Sequence, residues 1–213
     1  MEQPFLDTLL MHFLKANCMK KSKPMLDKRT PLHYATIENK IDCVLHLLQA
    51  GANPDQGDKD ERTPLHYATI ENKTDCVLHL LQAGANPDQG DKEGKTPLRY
   101  AIERGRIDCM RHLLDSKADP NTPDEYGKTP LHYASERGSI DCMRHLLDSK
   151  ANPNQPDKDK RTPLHYATIE NKADCVLHLL RAGANPDQGD KAGYGTDISI
   201  YSANAFPNAF PAN

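Results

Sequence analysis

Thr63-Pro64-Leu65-His66-Tyr67-Ala68-Thr69-Ile70-Glu71-Asn72 reads as a short helix followed by an enforced reversal. Thr63 is suited to cap a helix, and Pro64 fits the first helical position, where a missing N–H costs nothing. Leu65 and Ala68 share a face at i, i+3. The helix is predicted to run to about Glu71. Asn72 tolerates the left-handed conformation that ends it. A second helix is predicted from about Thr74 to Ala83. Asp75 in its first turn complements the helix dipole. Cys76, Val77, Leu80 and Leu81 make its apolar stripe. Gly84 stops it, and Asn86-Pro87-Asp88-Gln89-Gly90-Asp91 is a turn-rich connection.

The Thr-Pro-Leu-(His/Arg)-Tyr-Ala string starts at Thr30, Thr63, Thr96, Thr129 and Thr162, each 33 residues after the last. Five repeats follow: 25–57, 58–90, 91–123, 124–156 and 157–189. The reversal carries Asn in repeats one, two and five, and Gly105 and Gly138 in repeats three and four. The period explains the composition. In 213 residues, 37% are hydrophobic, 6% are aromatic and none is Trp, which is low for one deep core. Two short helices cannot bury their own apolar faces, but stacked copies share a thin continuous core. Repeats one and two agree at 27 of 28 positions from Thr30–Gly57 to Thr63–Gly90, differing only at Ile41/Thr74, as a recent duplication would leave them.

A net charge of −3 argues against a nucleic-acid binder, which needs a basic face to replace phosphate counterions. No apolar run reaches the length a membrane span requires. Phe5 to Leu14 carries Asp7 and His12 with no basic residues before it, and so reads poorly as a secretion leader. The cysteines are Cys18, Cys43, Cys76, Cys109, Cys142 and Cys175, one per repeat plus one. Stacked helices lie ~8–10 Å apart, whereas a disulfide needs Cα atoms within about 4.4–6.8 Å. Free thiols are therefore expected, and with them a reducing compartment, cytosol or nucleus.

The period, the TPLHYA strings, the Asn or Gly between helices and the Leu-Leu followed by Gly-Ala-Asn together resemble the ankyrin repeat family over residues 25–189. The resemblance implies an all-α fold. Antiparallel helix pairs would stack as a curved solenoid, with hairpin-like loops projecting beside the first helices to form a concave binding surface. Residues 1–24 would cap the stack with a lone second helix at 5–17. Residues 190–213 would close it with a degenerate first helix starting at Thr196 and a tail repeating Asn-Ala-Phe-Pro. Two departures stand out. Lys28, Glu61 and Lys160 replace the glycine before Thr-Pro that Gly94 and Gly127 provide. Lys117 and Lys150 replace the glycine after the second helix, so strained or rearranged loops are expected there.

Several constellations suggest chemistry. Each second helix carries Cys-x-x-His (Cys43/His46, Cys76/His79, Cys109/His112, Cys142/His145 and Cys175/His178), whose spacing puts two zinc-type ligands on one face. Repeats ~10 Å apart keep such pairs from converging, so core cysteines and half-buried histidines are expected, with no metal. His33, His66, His132 and His165 are expected to hydrogen-bond the cap and the neighbouring loop, with Arg99 altering one link. Tyr34, Tyr67, Tyr100, Tyr133 and Tyr166 are expected to pack with their hydroxyls at an edge rather than form a base-stacking ladder. Leu45, Leu78 and Leu177 are expected to face outward. No nucleophile, phosphate-loop or metal-hydrolase motif appears, and neither catalysis nor a cofactor is expected.

Positions that differ between repeats should carry specificity. First helices end Ile37-Glu38, Ile70-Glu71 and Ile169-Glu170 in repeats one, two and five, but Glu103-Arg104 and Glu136-Arg137 in three and four. Basic residues precede each Thr-Pro: Arg29, Arg62, Lys95, Lys128 and Arg161. Glu125-Tyr126 is the aromatic loop tip. These residues are expected to bind a partner protein, with Arg104, Arg137 and Tyr126 at the centre engaging an acidic segment. The chain reads as a non-catalytic, monomeric protein-binding module that contacts neither nucleic acid nor membrane. The alternatives are a self-assembling repeat module, or a pathogen effector acting on a host protein in the host cytosol.

Overall fold

A computed structural model describes residues 27–193, 195 and 196. The expected cap at 1–24 lies outside them, and of the expected cap at 190–213 only 190–193, 195 and 196 are described. The chain divides into two compact bodies at the Ala118/Asp119 junction. The first holds α1 Pro31–Ile37, α2 Ile41–Gln49, α3 Pro64–Ile70, α4 Thr74–Gln82, α5 Pro97–Arg104 and α6 Ile107–Asp115. The second holds α7 Pro130–Arg137, α8 Ile140–Asp148, α9 Pro163–Ile169 and α10 Ala173–Arg181. All ten elements among the described residues are helices. Within each body, every first helix packs on its own second helix, and consecutive first helices pack on one another.

The sequence dictates each boundary. Thr63 holds extended backbone, φ −84° and ψ 166°, and its hydroxyl oxygen lies 3.5 Å from the His66 N–H at the third helical position. Pro64 follows at the first helical position. The reversal closes as a paired-turn helix stop: Asn72 N–H donates to Thr69 O at 3.1 Å and Lys73 N–H to Ala68 O at 2.7 Å. Asn39, Asn72 and Asn171 take φ values of 53°, 55° and 52°, and Gly105 and Gly138 take 64° and 73°. Side chain and glycine thus serve the same left-handed position.

Cys76, Val77 and Leu80 are buried as expected, but Leu81 is only half-buried. Leu45, Leu78 and Leu177, expected to face solvent, are half-buried. Consecutive second helices also pack on one another within each body.

Lys117 and Lys150 stand left-handed, φ 66° and 70°, where Gly51, Gly84 and Gly183 stand at 82°, 86° and 85°. Their hydrogen bonds match the glycine turns. Ala118 N–H reaches Leu113 O at 2.9 Å, just as Ala85 N–H reaches Leu80 O at 3.0 Å. The turn is therefore conserved at the expense of a lysine in a costly conformation. Relieving it should stabilise by up to about 1 kcal/mol, less what glycine adds to the unfolded chain's entropy. Chemical denaturation should show Lys117→Gly and Lys150→Gly raising the midpoint. Gly84→Lys should lower it, although open space surrounds that position.

Candidate functional site

Each interior loop is organised by one aspartate. Asp58 Oδ1 accepts the N–H of Asp60 at 2.9 Å and of Arg62 at 3.1 Å, while Oδ2 accepts the Tyr67 hydroxyl at 2.7 Å. Asp91 repeats this with Glu93, Lys95 and Tyr100. Asp124 does so with Tyr126, Lys128 and Tyr133, and Asp157 with Asp159, Arg161 and Tyr166. Burial would raise the Asp58 and Asp91 carboxyls, but these hydrogen bonds outweigh it and hold both below the usual carboxylate range. Burial and the same bonds push the Tyr67, Tyr100 and Tyr166 hydroxyls up. The tyrosines are thus loop anchors. Sequence reading missed the aspartates, although their fixed place five residues before each Thr-Pro and nine before each tyrosine was a signal.

The histidines join one repeat to the next. Thr63 N–H donates to His66 Nδ1 at 3.0 Å, and His66 Nε2 lies 3.0 Å from Lys95 O. His33 does the same with Thr30 and Arg62 O, and His132 with Thr129 and Arg161 O. A backbone N–H can only donate and a carbonyl can only accept, so each ring is neutral with its proton on Nε2. In α5, Arg99 turns its guanidinium along its own helix to Glu103, Nε to Oε1 2.9 Å.

Burial, partly offset by the carbonyl bond, lowers the His33 ring from 6.5 and takes His66 and His132 down to about 4. The unfolded chain therefore binds protons between pH 6.5 and 4 that the folded chain refuses. Stability is full above about pH 6.5 and falls as pH drops toward 4, by about 3 kcal/mol for a ring shifted that far. Denaturant titrations across this window should show the fall. His66→Gln should lower stability at neutral pH yet flatten the slope.

The basic residues before Thr-Pro turn inward or along the surface. Arg29 Nη2 donates to the Tyr67 hydroxyl at 2.8 Å and stacks over its ring at 4.8 Å. Arg62 Nε pairs with Asp91 Oδ2 at 3.2 Å. Lys95 pairs with Glu93 at 2.9 Å. Lys128 pairs with Glu136 at 3.2 Å and lies 4.2 Å from the Tyr166 ring. Arg161 lies 3.8 Å from Asp190. These five serve joints and loops, and Glu103 and Glu136 are taken up by ion pairs. Ile70 is 8% exposed and offers no surface, whereas Ile37 is half-buried and Ile169 is 60% exposed. What stays open in the first body is Glu38, Glu71 and Arg104. In the second it is Glu125, Tyr126 (60% exposed), Arg137, Ile169 and Glu170. The expected central trio is thus split, with Arg104 in one body and Tyr126 and Arg137 in the other.

The Cys-x-x-His pairs serve packing. Cys76, Cys109, Cys142 and Cys175 are buried, and Cys43 is half-buried. Cys76 Sγ reaches Asn39 Oδ1 and Cys109 Sγ reaches Asn72 Oδ1, each at 3.5 Å, tying neighbouring repeats. Burial and an adjacent aspartate push the Cys76 and Cys175 thiols up to about 11. Among the described residues, no group of three or more His, Cys, Asp or Glu side chains is placed to hold a metal ion. None of their helices is long and apolar enough to cross a membrane. In a Cys18→Ser background, a thiol-specific chromogen should titrate Cys43 first under native conditions. The other four should react only at the rate of opening, and all five at once in denaturant.

A family model described as ankyrin repeats in three copies matches the chain in overlapping placements at residues 3–91, 47–124, 72–157 and 117–190. No curated protein matches the chain significantly.

Proposed function

The chain belongs to the ankyrin repeat family, and we propose that it is a non-catalytic module whose first helices and hairpin tips bind another protein. Ankyrin repeats are generally protein–protein interaction modules. The observation that carries the reading is a division of labour. Residues common to the repeats point inward, as caps, histidine joints, aspartate hubs and leucine core. Some positions that change stay in the core, as Val77 and Met110 do, and those that change and are left on the surface lie at the ends of first helices and at the loop tips. Glu38 and Glu71 in the first body give way to Arg104. In the second body Glu125, Tyr126 and Arg137 stand exposed, with Glu170 on the following repeat. Tyr and Arg are the residue types that most often dominate interface energetics. An exposed arginine selects an acidic segment, and the acids toward the first repeats favour a partner that turns basic there.

The test is quantitative capture by the full chain and by surface variants. Arg104→Ala, and Tyr126→Ala with Arg137→Ala, should each weaken partner retention at least tenfold while leaving the unfolding midpoint unchanged. Arg144→Ala, on a second helix, should leave retention intact. Equal retention by all variants would place the interface elsewhere.

A further inference from the structure

Glu38, Glu71 and Arg104 hold the same place in their repeats, eight residues after the capping threonine, at the ends of α1, α3 and α5. All three are exposed. Among the described residues none of them enters an ion pair, whereas Glu103 is held by Arg99 at 2.9 Å and Arg62 holds Asp91 at 3.2 Å. α1 packs on α3 and α3 on α5, so the three charges form one row across the first body in the order minus, minus, plus. The row two residues on, Lys40, Lys73 and Arg106, is basic throughout and fixes no order. The row at the helix ends changes sign, and so it can tell one end of a partner segment from the other.

Spacing decides what conformation can read the row. Packed helices lie ~8–10 Å apart, and that is the step from one charge to the next. A β-strand rises about 3.3 Å per residue and alternates sides, so the side chains on one side fall about 6.6 or about 13.2 Å apart and miss the step. A polyproline II segment has about three residues per turn and rises about 3.1 Å per residue, so every third side chain faces the row at intervals of about 9.3 Å. An α-helix brings a side chain back to nearly the same side after about 10.5 Å, but a helix docks through apolar anchors. Among the described residues the exposed large hydrophobic side chains are Tyr126 and Ile169, both in the second body, so neither lies along this row.

We propose that the first body takes a polyproline II segment of its partner whose side chains at i, i+3 and i+6 are basic, basic and acidic, facing Glu38, Glu71 and Arg104 in turn. This rests on the reading that the first helices bind another protein, and it adds the conformation, the spacing and the charge order of what is bound. The two residues between successive contacts turn away from the row and are free in kind. The three charges are exposed, so the selection is strongest at low ionic strength and fades with salt.

Fluorescence anisotropy of labelled heptapeptides with the full chain at low ionic strength tests this. Lys-Pro-Pro-Lys-Pro-Pro-Glu should bind at least fivefold more tightly than two peptides of the same composition, Lys-Pro-Pro-Glu-Pro-Pro-Lys and Lys-Pro-Lys-Pro-Glu-Pro-Pro. Glu71→Lys should weaken the first peptide at least fivefold and prefer Lys-Pro-Pro-Glu-Pro-Pro-Glu, with its unfolding midpoint unchanged. Arg144→Ala should alter neither preference. Equal binding of the three isomeric peptides, or binding of none, overturns the proposal. Tightest binding of the isomer with charges at every second residue also overturns it and assigns the row to an extended strand. Should either happen while Arg104→Ala still weakens partner retention, the broader binding surface stands and only its charge order and spacing fall. Should retention be unmoved as well, both fall.

Discussion

Each described histidine joint uses one flat ring as acceptor and donor at once, and the register of the stacked layers depends on it. Nδ1 takes the N–H of the helix cap; Nε2 gives its hydrogen to a carbonyl 29 residues on. No rotatable bond separates the two nitrogens, so the start of one helix and the loop of the next repeat are set by a rigid spacer. The apolar layers of Leu, Ala, Val and Cys supply the driving force but little direction. The ring supplies direction. It works only while neutral, because an imidazolium would face the cap N–H with a second donor.

Around that joint the remaining polar groups fall into short cycles. The aspartate binds two N–H groups of its own loop and the hydroxyl of its own first helix, and a basic side chain of the preceding repeat closes the ring in the first body. Such buried acceptors would be costly if unpaired. Each is met by a donor at a fixed sequence offset. Helices of seven to nine residues are too short to stand alone. Their stability is a nearest-neighbour quantity, as expected where every layer touches only those beside it.

Much of this was legible in the sequence because the signals were local. Thr-Pro fixes a helix start, and Asn or Gly fixes the reversal, whatever lies around them. Lys117 and Lys150 were legible as strained because a lysine stands at a glycine's register, and both stand left-handed. What escaped was pairing. Nothing in Arg29 or Arg62 alone says whether the guanidinium faces a partner or the tyrosine and aspartate of the next repeat. Their turn inward follows from the three-dimensional offset of one layer, which single-sequence reading knows only as a period. Lys95 and Lys128 find acids of their own repeat, and Arg161 lies 3.8 Å from Asp190 in the following loop. Leu45, Leu78 and Leu177, expected to face outward, are half-buried.

Identical segments make the point most sharply. Ile37, Ile70 and Ile169 occupy the same place in the same heptapeptide, yet one is half-buried, one buried and one exposed. Burial here is a property of the neighbour rather than of the residue. A repeat that is well packed in the middle of a stack carries the same apolar groups when it stands at the end, where they need another covering. Near-identity of two repeats therefore gives a junction that is correct by construction. The surface residues that distinguish repeats three and four lie outside this constraint. That is why they can vary without disturbing the stack.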